Sequence, residues 1–246
     1  MLKPSYDIDK IKFGVDKSTF ERAVDLYESG KVRDFKEEYA VYEAVVYGTR
    51  PYKVSVFSKN YDSGSCECYL GKNDTLCKHM IAVAIHAIKG GKKLTEEEKE
   101  IMDSPVCSGE IGELSKEEVL KTKKDITSAM KCVKSYRGPS RTWHANQRSL
   151  DEGCARLSKI VSELPVGEVS ARLIVDMLIR LDKKLCGGVD DSNGIVGGFM
   201  YEVVEILQEY TEFNPACINS FTKLCRRKTC FEWDEPLMKI LDEQEI

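Results

Sequence analysis

The stretch Cys66-Glu67-Cys68-Tyr69-Leu70-Gly71-Lys72-Asn73-Asp74-Thr75-Leu76-Cys77-Lys78-His79 decides how the first third of this chain is read. It spells C-x-C, eight intervening residues and then C-x-H. Three thiolates and one imidazole are a preferred donor set for tetrahedral Zn2+. The spacing carries geometry too, because residues i and i+2 on an extended strand face the same way, which lets Cys66 and Cys68 approach one ion together. Cys77 and His79 are predicted at the entry of a helix, where unpaired amides and the positive dipole end favour thiolate. Lys72 and Lys78 add positive charge nearby. Free cysteines often serve as small core hydrophobes, but four ligands of the right type in two pairs beside a strand-to-helix turn are hard to assemble by accident. Four protein donors leave no position for water, so the expectation is one structural Zn2+ and not a Lewis-acid catalyst.

Working outward, residues 16–31 carry Phe20, Ala23, Val24 and Tyr27 on one helical stripe, with Gly30 at the stop. Segments rich in β-branched and aromatic residues follow at 32–35, 40–47 and 52–57, with Gly48-Thr49-Arg50-Pro51 as a turn. They predict an antiparallel meander in which Tyr52, Val54 and Val56 share one face. After the cluster, Ile81, Ile85 and Ile88 at helical spacing and the stop Gly90-Gly91 predict a closing helix over 77–89. The expected fold class is therefore α+β, with a finger module at 1–91, a polar connector at 92–112 holding one short helix, and an all-α domain at 113–246. In that domain helical patterns are read at about 116–134, 146–164, 168–185, 198–210 and 217–224. The breakers Gly138-Pro139, Pro165-Val166-Gly167, Gly187-Gly188 and Asn214-Pro215 separate them. No repeat of fixed period is present.

The order C-x-C, short loop, C-x-H and apolar helix resembles the SWIM-type zinc finger. Cys77-Lys78-His79-Met80-Ile81-Ala82-Val83 is similar to that family's C-K-H-ilA-v stretch, and the resemblance spans roughly 32–88. It implies Cys66, Cys68, Cys77 and His79 as metal ligands and a module that binds DNA or protein partners. Around Tyr136-Arg137-Gly138-Pro139-Ser140-Arg141 and Val189-Asp190-Asp191-Ser192 the helical part resembles the extension of some uncharacterised bacterial SWIM proteins, which implies no chemistry.

The net charge of −4 argues against a protein that coats nucleic acid through bulk attraction. Residues 1–91 hold 14 basic and 13 acidic side chains, and Zn2+ with three thiolates would add one negative charge. The start lacks the apolar core of a secretory signal, and no segment is apolar for the length of a membrane span, so a cytoplasmic chain with no membrane partner is expected. Ten cysteines would then remain free thiols or metal ligands.

Weaker constellations read differently. His86 lies about two turns beyond His79, too far to share its ion. Between Ile126 and Leu150 there is no acidic residue, while Lys131, Lys134, Arg137, Arg141 and Arg148 gather around Tyr136, Trp143 and His144. This is the candidate surface for a partner or for phosphate and bases, although such runs are usually solvated faces and Trp143 would serve equally as an anchor. Cys225 and Cys230 flank a basic turn and are read as core cysteines. The Gly187–Gly194 stretch fails as a calcium loop, since Val189 and Met200 would fall where carboxylates are required, and is read as an acidic helix-capping turn. Phosphate-binding glycine loops, G-x-S-x-G elbows and H-E-x-x-H helices are absent, and no enzyme is expected. The expectation is a zinc-binding interaction or adaptor protein that meets a protein partner through its helical domain. The alternative is a sequence-nonspecific DNA or RNA binder that uses the finger and residues 126–150.

Overall fold

Stripes of apolar residues at strand and helix spacing close two separate cores in the computed structural model, which describes residues 3–101, 104–139, 143–225 and 227–244. The chain divides into two compact units, Met1–Ile101 and Met102–Ile246.

In the first unit, α1 (Ile8–Phe13) and α2 (Lys17–Glu28) start on Asp7 and Asp16, whose carboxylates accept the Lys10 and Thr19 amides. Phe20, Ala23, Val24 and Tyr27 are buried, as the stripe predicts. Four antiparallel strands follow in sequence order: β1 (Val32–Glu38), β2 (Val41–Tyr47), β3 (Pro51–Phe57) and β4 (Gly64–Cys66). A register shift between Arg33 and Lys36, with Asp34 at φ 52°, bends β1. Tyr42, Ala44 and Val46 of β2 and Val54 and Val56 of β3 are buried on one face. Against that face and α2 lies α4 (Lys78–Lys89), in which every residue from His79 to Ile85 is buried. Gly90 ends it in the left-handed region at φ 57°, donating to the His86 carbonyl. A one-turn helix, α3 (Tyr69–Lys72), sits between β4 and α4.

Residues 92–112 are docked on both sides of the division. On the first unit the Lys92 carbonyl accepts from Tyr27 Oη at 2.7 Å, the Leu94 amide donates to Glu28, and buried Lys12 donates to the Glu97 carbonyl of α5 (Glu96–Lys99). On the second, the Val106 amide donates to Ser162 and Ile111 bridges to Val166.

The second unit contains α6 (Lys116–Ala129), α7 (Trp143–Ser162), α8 (Glu168–Cys186), α9 (Ile195–Phe213), a 3-10 helix (Pro215–Lys223) and α10 (Glu235–Gln244). The pattern predicted α6 to run to 134, but it stops near Ala129 because the next turns tighten and carry Met130 and Val133 into the core. α8 is buried along most of its length. The acidic turn behaves as a cap: both Asp191 oxygens accept amides at the start of α9, from Val196 and Gly197 at 2.8 Å. Among the described residues no helix is long and apolar enough to cross a membrane.

Two expectations fail. Cys186 and Cys230 are joined in a disulfide with Cα atoms 6.7 Å apart, and Cys225 is exposed, so Cys225 and Cys230 are not a pair of core cysteines and the ten cysteines are not all free thiols or metal ligands. The cause is tertiary. Buried Asp182 in α8 accepts from the Cys230 amide at 2.8 Å and from Trp233 Nε1 at 2.9 Å, which draws the segment before α10 alongside the end of α8.

Candidate metal centre

Cys66 ends β4, and two residues later Cys68 caps α3, its Sγ accepting the Gly71 amide at 3.3 Å. The strand predicted to carry both members of the first pair ends at Cys66, and the chain bends at Glu67 before Cys68. Cys77 is the N-cap of α4 and His79 its second residue. The four donor atoms all lie within 4.8 Å of one another, and all four residues are buried. His79 Nδ1 is 3.8 Å from Cys66 Sγ and 3.9 Å from Cys77 Sγ. With metal–sulfur bonds of about 2.3 Å and a metal–nitrogen bond of about 2.0 Å, the sulfur–nitrogen edge of a tetrahedron is roughly 3.5 Å, so these separations come within a few tenths of an ångström of suiting one ion.

Electrostatics at the cluster match the donor chemistry. The Cys77 thiol is held well below the ordinary thiol range by the hydrogen bond from Cys66, against the opposing effect of burial and with help from His79. Cys66 is pushed up because it serves as that donor and because it is buried. The buried, four-residue cluster could hold one metal ion.

Glycines make the close packing feasible. A Cβ on Gly71 would fall 2.3 Å from the Cys66 carbonyl oxygen and 2.5 Å from Cys66 Cβ. Gly71→Ala is therefore expected to push α3 away from β4 and weaken metal affinity at least tenfold, measured by competition with a chromophoric chelator; unchanged affinity would show that the two ligand pairs do not depend on this approach. At Gly48 a Cβ would stand 2.9 Å from His79 Nε2, and the Tyr52 ring tilts over the imidazole at 4.7 Å between centroids. Nε2 itself is buried with no hydrogen-bond partner among the described residues.

Of the other sequence candidates, Tyr136 and Trp143 both bond to the 188–190 turn, the former through its amide to the Gly188 carbonyl at 3.3 Å. Lys131, Lys134, Arg137 and Arg148 are exposed, Tyr136 is half-buried with its hydroxyl on the Pro139 carbonyl, and Trp143 Nε1 donates to Asp190 Oδ2 at 3.1 Å. Arg141 lies outside the described residues. His86 packs between Tyr27 and Phe35, and burial lowers its pKa. Sequence reading missed a denser basic recess of about 410 Å3, where Lys123 of α6, Arg180 and Lys183 of α8 and Arg227 meet beside Asp176. The packing of α6 and of the segment after the 3-10 helix on α8 brings them together, so no local pattern announced it. Comparison of the chain with protein-family models, curated proteins and solved structures finds no match.

Proposed function

We propose that the first unit is a SWIM-type zinc module whose single Zn2+ is held by Cys66, Cys68, Cys77 and His79, and that the chain is a cytoplasmic adaptor which meets a protein partner through its helical unit. The observation that carries the metal assignment is the buried set of three sulfurs and one imidazole nitrogen, all within 4.8 Å. When bound, the ion cross-links β4 and α3 to α4 and takes up the charge of the thiolates.

Support for a protein partner comes from an apolar recess of about 410 Å3 on the helical unit, lined in part by Val189, Gly198, Met200, Tyr201 and Phe231. Phe231 is 71% exposed and Tyr201 49%. Aromatic side chains of this kind supply rigid anchors at protein interfaces. Phe231 and Glu232 both occupy the left-handed region, at φ 64° and 52°. Such conformations cost about 1–3 kcal/mol each and persist only where neighbours over-determine them. Here the neighbours are the Cys186–Cys230 bond, the Asp182 hydrogen bonds and Tyr201 Oη, which donates to the Phe231 carbonyl. The aromatic ring is thereby presented outward. Capture of a partner by the full chain should be lost on Phe231→Ala; capture that persists undiminished would remove this surface from the reading.

A second reading, phosphate contact with DNA or RNA, is favoured by the recess ringed by Lys123, Arg180, Lys183 and Arg227. Affinity for a mixed oligonucleotide measured at several salt concentrations decides it, because each phosphate contact steepens the fall of binding with salt. The adaptor reading predicts no binding at low salt, and tight, steeply salt-dependent binding would replace it with the second.

A further inference from the structure

Of the ten cysteines, one pair is bonded, Cys186 to Cys230. On the cytoplasmic reading proposed above, glutathione and thioredoxin keep thiols reduced, and a disulfide that forms there is usually transient and serves catalysis or redox sensing. The position of the bond agrees with sensing. Cys186 is exposed at the C-terminal end of α8 and Cys230 is half-buried, so a small thiol reaches the bond without unfolding the unit. Exposed disulfides are the labile and regulatory ones.

The same bond stands at the wall of the apolar recess. Four residues that line the recess flank the two cysteines in sequence, Leu185 and Val189 about Cys186, and Phe231 and Trp233 about Cys230. Met200 and Tyr201 of α9 line it as well. Two kinds of anchor hold the segment before α10 beside them. Trp233 is fastened from within, 2% exposed and with Nε1 on Asp182 Oδ1 at 2.9 Å, and sulfur takes no part in that hold. Phe231 and Glu232 both occupy the left-handed region and depend on restraint from either side, which on the cysteine side is covalent. Without the disulfide that side keeps the Cys230 amide on Asp182 and Tyr201 Oη on the Phe231 carbonyl at 3.1 Å, the first half-buried and the second exposed to water. Opening the bond therefore frees the turn at Phe231 and leaves Trp233 and the core in place.

We propose that Cys186–Cys230 is a reversible thiol–disulfide switch that sets whether the recess is formed, and with it, resting on the partner reading, the surface offered to a protein. Bonded, it holds Phe231 at the recess; reduced, it releases the turn and removes that wall. In reduction a glutathione thiolate attacks the exposed Cys186 sulfur, the S–S bond breaks, and Cys230 leaves as a thiolate that takes up a proton. A second glutathione thiolate attacks the glutathione sulfur of the mixed disulfide and frees Cys186, which is protonated in turn. Two glutathiones thus give up two protons and two electrons and depart as glutathione disulfide, and the reverse sequence re-forms the bond.

The test equilibrates the full, zinc-loaded chain in mixtures of reduced and oxidised glutathione, alkylates the free thiols and follows Cys186 and Cys230 by peptide mass. The pair is expected to open and re-form along one reversible curve without denaturant. In the reduced chain, cleavage after Glu232 by a glutamate-specific protease should rise at least tenfold, because cutting follows the population of the open form. The Met200 methyl resonance should move with it, while the Trp233 indole proton stays protected from exchange and helical circular dichroism is unchanged. Cys186→Ser should show the reduced pattern under both conditions, and Cys225→Ser, which removes an exposed thiol outside the bond, should leave the curve where it is. A bond that stays closed until denaturant is added is structural and overturns the switch, whether or not Cys186→Ser folds. Opening that leaves Glu232 cleavage and the Met200 methyl as they were overturns it too. The partner reading fails separately, through the Phe231→Ala capture test on chain held oxidised, and its failure leaves a switch that still opens and closes the recess.

Discussion

Chelation of the full chain is expected to unfold the first unit while the helical unit keeps its structure. Cys66, Cys68 and Cys77 are members of the first unit's own core, together with Val54, Val56 and the buried face of α4. At one edge of the sheet that core is closed by β4, a strand of three residues. Binding of structural zinc contributes on the order of 10–16 kcal/mol in finger peptides. The net stability of a domain of this size is only about 5–15 kcal/mol, so losing the ion's contribution removes most or all of it. Removal of the ion would also leave three buried sulfurs and the His79 Nδ1 within 4.8 Å of one another without the cation that holds them together. Cys77→Ser should behave in the same way at every metal concentration. In amide spectra of the full chain, resonances from 4–101 should collapse toward random-coil shifts while those of the helices from α6 to α10 stay in place. Retention of the first set after verified metal loss would contradict this.

Trp233→Ala is expected to have the second largest effect, confined to the helical unit. Trp233 is 2% exposed among core side chains of that unit, and its Nε1 donates to buried Asp182. Truncating a fully buried tryptophan costs about 3–5 kcal/mol through lost burial and the cavity left behind. One of the two hydrogen bonds to Asp182 Oδ1 is lost with it, leaving the Cys230 amide. Trp233→Phe should recover most of the packing but not that hydrogen bond, and so fall between the variant and the parent. Urea unfolding followed by helical circular dichroism checks the order, and zinc uptake should be the same in all three proteins. Equal stability of Trp233→Ala and parent would show that the segment before α10 does not close this core.

Most of the first unit was legible because its periodicities are uninterrupted. The stripe Phe20, Ala23, Val24 and Tyr27, the alternation through Val54 and Val56, and the run from His79 to Ile85 each bury one face as read. Elements too short to show a period escaped: α1 has six residues and α3 four. α10 escaped too, behind the turn at Phe231 and Glu232. Residues 217–224 looked helical, yet Pro215 opens a 3-10 helix with Asn214 accepting the Ala216 amide. At the cluster, donor identity and pairing were readable from spacing alone. The orphan nitrogen of His79 was not, because it follows from Gly48 and Tyr52 arriving from the sheet. The disulfide was hidden for a similar reason, its two cysteines being 44 residues apart and aligned only through Asp182.

The central claim is that one ion sits among three sulfurs and one nitrogen, and zinc-edge X-ray absorption on the full chain, loaded with zinc and freed of excess metal, tests it most directly. One zinc per chain should appear with three sulfur neighbours at about 2.3 Å and one nitrogen neighbour at about 2.0 Å. Substoichiometric zinc, or a shell of oxygen and nitrogen without sulfur, would contradict the account.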